Sequence, residues 1–287
     1  MQGEIIRQHR RHDVKKILAR TVIYIILSLL AVSMIVPIYW TFMTSLMQNK
    51  DINHIPINFF PNPSILSFDN YVEAFQAINI FRFLGNSVIV TGLNIVTSLL
   101  SSSMAAYAIT KIKFRGAKIL YRIFLASMML PGMVMIVPTY LIINKLRMLN
   151  SLFSVIVPGI LSVYGIFFMR AFFLGTNDSI GESARVDGAS EFRIFLQIFM
   201  PQVTVGLVIL GINTFNGSWN AYLQPSLYLK KESVWTLVVA LRNVTSKTAE
   251  IGVQMAFALL FSLPVFISFV FAQKYFLTGF TLAGIKE

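Results

Sequence analysis

Between Arg20 and Lys50 the chain reads TVIYIILSLLAVSMIVPIYWTFMTSLMQN, Thr21 to Asn49, without one Asp, Glu, Lys or Arg. A helix rises about 1.5 Å per residue and the hydrocarbon core of a bilayer is about 30 Å thick, so about 20 apolar residues make a crossing. This stretch exceeds that length, and it also exceeds the apolar core of about 7–15 residues found in a cleavable secretory signal. It therefore reads as a permanent span. Working outward, five further charge-free stretches follow: Arg82 to Lys111, Arg122 to Lys145, Arg147 to Arg170, Arg193 to Lys230 and Glu250 to Lys274. The stretch between Asp51 and Asp69 is different, because Pro56, Pro61 and Pro63 stand among Asn53, Asn58 and Asn62 and would leave backbone groups unpaired in lipid. It reads as an exposed loop. The fifth apolar stretch is too long for one span, and Pro201 divides it into an approach segment and a helix predicted from about Gln202 to Leu223.

The composition agrees with an all-α polytopic membrane protein of six transmembrane helices. Hydrophobic residues make up 56% of the 287, the mean hydropathy is +0.70 and only 13% are charged, which excludes a soluble domain and a disordered chain. The Cys count of 0 excludes disulfides and thiolate metal sites. A net charge of +12 points to nucleic acid only when it sits on one soluble surface. Here it is divided between two sides of a membrane, and no nucleic-acid partner is expected. With the N-terminus inside, sixteen of the 24 Lys and Arg residues fall in cytoplasmic segments, so both termini are predicted to be cytoplasmic. The resulting organisation is a basic cytoplasmic tail over 1–20, a first span over 21–47, an outer loop over 48–82, a five-helix core over 83–276 and a cytoplasmic tail over 277–287. The HRRH run at His9 to His12 reads as a topology determinant at the headgroups.

The spans contain no ionisable residue for an ion gradient to act on. Their polar content is amide and hydroxyl, including Asn86, Asn94, Thr97 and Ser101 to Ser103, then Asn213, Thr214, Asn216 and Asn220. Most such groups join helices, and the remainder are available to line a polar path. No G-x-x-x-x-G-K-[ST] phosphate loop, H-E-x-x-H helix or G-x-S-x-G turn occurs, so no catalytic residue, metal set or bound cofactor is expected in this chain. Any work it does must draw on a partner's energy. That puts the weight on the cytoplasmic loops.

The longest of these, Phe172 to Pro201, reads FFLGTNDSIGESARVDGASEFRIFLQIFMP. Asn177, Asp178 or Ser179 can cap a helix with Glu182 in its first turn, and Gly188 supplies a bend that a side chain would obstruct. Phe192, Phe195, Leu196 and Phe199 then form an apolar stripe on a second short helix ending at Pro201. The prediction is a helix–turn–helix lying under the membrane. Within it, Glu182, Ser183, Ala184, Asp187, Gly188 and Ala189, with Pro201 after them, resemble the EAA loop of ABC importer permeases, E-A-A-x-x-D-G-A followed by Pro. Ser183 departs from that pattern as one small residue for another.

The resemblance extends along nearly the whole chain to the carbohydrate-uptake branch, the maltose-type second permease subunit. FFPNP at Phe59 to Pro63, NYVEAF at Asn70 to Phe75, AAYAITKIKFRG at Ala105 to Gly116, LPGMVMIVPTYLI at Leu130 to Ile142 and GSWNAYLQP at Gly217 to Pro225 carry it. The family commonly has W-N-D or W-N-E where this chain has Trp219-Asn220-Ala221. The resemblance implies a bacterial inner-membrane complex of two permeases, an ABC ATPase dimer that binds ATP and Mg, and an external solute-binding protein that delivers a saccharide. An anionic oligosaccharide or glycerol phosphate is the alternative cargo, and a non-transporting scaffold the alternative role. It further implies that residues 182–188 dock in the ATPase, that the segment from Phe280 reaches its interface and that the loop Lys230 to Glu250 meets the binding protein. Sugar sites combine aromatic faces with hydrogen-bonding groups, so the expected pathway residues are Asn213, Asn216, Trp219, Asn220, Tyr140 and Tyr164, with Tyr222 beside them.

Overall fold

The computed structural model describes residues 2–52, 59–112, 114–245 and 250–284, with the backbone alone over 2–15, 272 and 274–284. Among the described residues every regular element is helical. The principal helices are α1 (Gln2–Ser45), α2 (Asp69–Ala77), α3 (Ile80–Lys111), α4 (Ala117–Met128), α5 (Ile136–Lys145), α6 (Val163–Leu174), α7 (Asp178–Val186), α8 (Glu191–Gln202), α9 (Thr204–Trp219), α10 (Leu237–Thr245) and α11 (Ile251–Gly284). Four described stretches are long and apolar enough to cross a membrane: Lys16–Ser45, Ile80–Lys111, Phe153–Leu174 and Ile251–Phe271. A fifth arises if α8 and α9, bent 83° from one another, count together. The chain is a multi-pass membrane protein.

The stretch between Arg122 and Lys145, expected to be one span, is instead the two helices α4 and α5 of 12 and 10 residues, separated by turns over 129–135. Pro131 lacks an N–H to continue α4, and Gly132 beside it is a poor helix former. The basic segment before Thr21 continues α1 without a break, and the segment after 277 continues α11 to Gly284.

The helices sort into two compact units, residues 1–76 with 248–260, and residues 77–247 with 261–287. In the first, Asn70 finishes the C-terminal end of α1. Its Nδ2 donates to the carbonyls of Ser45 at 2.9 Å and Met47 at 2.8 Å, groups for which the helix offers no partner. Ser45 Oγ and Tyr71 Oη lie 2.8 Å apart alongside. A Cβ at Gly252 would come within 2.4 Å of Asn70 Nδ2, so the backbone approaches this cap as closely as only glycine permits.

In the second unit α3 is central and packs most extensively on α6 and α9. Its buried face is unusually hydroxylic, with Ser87, Thr91, Ser98, Ser102 and Ser103 all less than 4% exposed. Ser101 Oγ donates to Ile160 O at 2.5 Å and Ser102 Oγ to Ser162 O at 3.3 Å, while Gly165 sits so close that a Cβ would reach Ser102 Oγ at 2.3 Å. Small residues let the backbones approach and their hydroxyls then join them, as expected of packing where no water drives association. At the other end of α3, Asn86 Nδ2 donates to Trp235 O at 2.9 Å and Ser87 Oγ accepts from Leu237 N–H at 2.8 Å. The segment read as a loop over Lys230 to Glu250 is thus pinned and largely helical through α10, with 246–249 outside the described residues.

Candidate functional site

The helix–turn–helix between α6 and α9 forms as its sequence predicts, and each half has an identifiable cause. Asn177 is the cap of α7, its Oδ1 accepting from Ser179 N–H at 3.0 Å. Asp178 is engaged elsewhere, paired with Lys111 at the end of α3. α7 closes where Gly188 takes φ +80°, with Gly188 N–H bonded to Arg185 O and Ala189 N–H to Ala184 O, both at 3.0 Å. These two bonds satisfy the last carbonyls of α7 and require a left-handed residue between them. A Cβ at Gly188 would meet nothing within 4 Å, so the reason for glycine is the backbone angle and not the obstruction that the sequence suggested. α8 begins at Ser190, whose Oγ accepts from Arg193 N–H at 3.4 Å. It ends at Gln202, one residue beyond the predicted Pro201. Over Phe195–Phe199 the ladder widens, Met200 N–H reaching Phe195 O, and the chain turns at Val203 into α9. Pro201 has no N–H to give to Gln197, and the wider turn accommodates that loss.

Two polar ties hold this segment against α3. Lys111 Nζ, on a side chain 5% exposed, bonds Asp178 and donates to Thr176 O at 2.9 Å, lying 5.3 Å from the centre of the Phe199 ring. Glu191 accepts from Arg185 Nε at 2.5 Å and from Tyr107 Oη at 2.8 Å. The Glu191 carboxylate raises the Arg185 pKa, so that guanidinium stays charged and committed within the chain. Tyr107 itself is buried among the rings of Phe173, Phe195 and Phe199, at 5.2 to 5.9 Å between centroids.

These ties decide which side of α7 is free. Ala184 and Ala189 turn inward onto the Tyr107 cluster, and Gly181 is buried so tightly that a Cβ would stand 2.9 Å from the Phe199 ring. Glu182, Ser183, Val186 and Asp187 are exposed, Val186 at 88%. The small residues of the motif therefore divide, two packing inside the chain and Ser183 facing out. Gly181 carries as much of the packing as the motif residues, and the sequence marks it only as the glycine before Glu182.

A second site lies between α3, the turn over 157–162 and α9. It is a cavity of about 520 Å³ whose polar lining includes Asn94, Ser98, Ser162, Asn213, Thr214 and Ser218. Of the expected pathway residues, Asn213 and Tyr164 line it. Asn216 and Asn220 are exposed along α9 on the side of Asn213 but do not reach it. Tyr140 instead packs on Tyr228, ring centres 6.1 Å apart, and Tyr222 lies under the Arg242 guanidinium at 5.4 Å. Trp219 is 3% exposed, stacked between Phe215 and Phe261 with Nε1 donating to Phe261 O at 3.4 Å. Its place is in the core. Asn94 and Ser98 fall on the lining because they sit one turn apart on the face of α3 turned toward α9.

The chain is similar to known proteins in sequence and in fold. The family described as "Binding-protein-dependent transport system inner membrane component" matches residues 97–281. The arabinooligosaccharides transport system permease protein AraQ of Bacillus subtilis (strain 168) is 32% identical over 94% of this chain and 95% of its own. The galactooligosaccharides transport system permease protein GanQ of the same organism is 30% identical over 92% and 94%. Among solved structures, a chain of a bacterial ABC transporter involved in the import of the acidic polysaccharide alginate superposes with a TM-score of 0.78, covering 89% of this chain and 95% of that one at 23% identity. The matched span holds α6, both helices of the turn and the whole of α9, and on that evidence the chain belongs to the binding-protein-dependent transport system inner membrane component family.

Proposed function

We propose that this chain is one of two permease subunits of an ATP-driven importer that carries an oligosaccharide across a bacterial inner membrane. The observation that carries the reading is the exposed face of α7. Glu182, Ser183, Val186 and Asp187 stand outward while the opposite face is bound to α3, the arrangement of an element made to be pushed by a partner. Val186 offers an apolar contact and the two carboxylates offer charge-assisted bonds to basic groups. An ABC ATPase dimer binding ATP and Mg is the partner of that face. A second permease completes the pathway, and an external solute-binding protein delivers the sugar to the outer segments that include α2 and α10. The names of the relatives, transporters of arabino- and galactooligosaccharides, favour an oligosaccharide as cargo.

In this reading the chain crosses six times, with α4 and α5 as the halves of one broken crossing and both termini in the cytoplasm. ATP-driven closure of the ATPases favours one of two arrangements of the spans because it contacts them differently. The test is reconstitution of this chain with its partner subunits in vesicles. Glu182→Lys and Gly188→Val are expected to lower ATP-dependent uptake of arabinotriose or galactotriose at least tenfold while the chain still inserts and assembles. Normal uptake by both variants would refute the coupling role.

A further inference from the structure

We propose that the cavity between α3, the 157–162 turn and α9 is a binding subsite in this subunit for an uncharged sugar residue of the transported chain, with Asn94, Ser98 and Asn213 as its hydrogen-bonding groups. The inference rests on the importer reading and adds to it a ligand site and a charge preference. At about 520 Å³ the cavity falls within the range of about 300–1,000 Å³ that holds small-molecule ligands. Asn94 and Ser98 are 7% and 1% exposed, yet Asn94 Oδ1 and Ser98 Oγ find no hydrogen-bond partner among the described residues. Asn94 Nδ2 donates to Ser218 Oγ at 3.0 Å, and a half-turn of the amide merely exchanges the two atoms, so one group is left over in either setting. Buried polar groups are ordinarily satisfied, and two exceptions at i and i+4 on the wall of one cavity point to a ligand that satisfies them. Gly159 packs directly beside Asn94 on the same lining, where a Cβ would stand 2.8 Å from Asn94 Oδ1. Tyr164, 46% exposed, adds an aromatic face at the rim.

The chemistry of the lining selects the ligand. Amides and hydroxyls both donate and accept, as sugar hydroxyls do, and the lining contains no Lys, Arg, Asp or Glu. A uronate or phosphate would lose its hydration here without a counter-charge, whereas the hydroxyls of a neutral glycoside would exchange water for the amides and hydroxyls of the lining.

The native chain has 0 Cys, so one introduced thiol reports on one place. Asn213→Cys puts it on the exposed part of the lining, and Lys145→Cys, exposed at the end of α5, serves as control. In the assembled complex with cysteine-free partners, arabinotriose or galactotriose is expected to slow alkylation of Asn213→Cys at least fivefold, trigalacturonate to leave it unchanged, and no sugar to affect Lys145→Cys. In the otherwise native complex Asn94→Leu is expected to lower uptake of the neutral trisaccharide at least tenfold. Ser101→Ala, which removes a tie between α3 and Ile160 outside the lining, should stay within twofold of the native rate. Unprotected Asn213→Cys in a complex that imports these sugars would overturn the subsite and leave the importer reading standing. Equal protection by trigalacturonate would overturn the charge preference. A native complex that moves neither sugar would overturn both the subsite and the reading beneath it.

Discussion

Gly188 shows how a residue can be read correctly and explained wrongly. Its place in the motif marks a bend, but open space around its Cβ means that the constraint is the φ of +80° alone. A left-handed conformation costs an ordinary residue about 1–2 kcal/mol, and Asn less than a β-branched residue. Gly188→Asn is therefore expected to retain most uptake and Gly188→Val to lose at least tenfold, a ranking to be measured in reconstituted vesicles. Equal loss in both would return the explanation to crowding. Gly181 is the opposite case, with ordinary helical φ and no room. Gly181→Ala drives a methyl against Phe199 and should cost about 1–3 kcal/mol, read as a lowered Tm of the purified chain, with Phe199→Leu restoring part of the loss. The sequence marks Gly188 as a bend but gives the physical reason for neither glycine, because one depends on a dihedral angle and the other on a ring folded back from α8.

Helices were legible where charge bounds them. α3 ends at the Lys111 that closes its charge-free run, and α7 starts at its predicted cap. What the sequence hid were the long-range ties, since Lys111 and Asp178 lie far apart in the chain and only the fold brings them together. That pair is half buried, with the lysine covered and the carboxylate 66% exposed, so its worth lies between an exposed and a buried ion pair, at ~1–2 kcal/mol. A double-mutant cycle on Lys111→Met and Asp178→Asn should return that coupling in thermal stability. Because the same pair fixes α7 to the helix that carries Asn94 and Ser98, Lys111→Met should also lower sugar moved per ATP hydrolysed while ATPase activity persists. An unchanged transport-to-hydrolysis ratio would show that the tie only stabilises the fold.

At the scale of the molecule, the exposed surface reports what the chain is built to sit in. The most apolar window of Lys16–Ser45 has 0% of its residues buried within the chain, and the faces that carry Asn213, Asn216 and Asn220 are also open. Lipid suits the first but not the second, since exposed amides are costly in hydrocarbon, and a second permease across a wet path would suit it. The broken crossing is the strongest test of this architecture. At about 1.5 Å per residue α4 and α5 span about 18 and 15 Å, so neither crosses a core of about 30 Å alone. In the proposed six-span reading they act together with the turns at 129–135 and put Arg115 and Arg147 on opposite faces, whereas a re-entrant hairpin would return both to one face. A chain bearing Arg115→Cys should react with an impermeant maleimide only in inside-out vesicles, and one bearing Arg147→Cys only in right-side-out vesicles. Labelling of both from the same side would reduce the crossings to five and place the termini on opposite faces. The excess of basic residues assigned to the cytoplasm would then lose its meaning, because every segment after α5 would exchange sides.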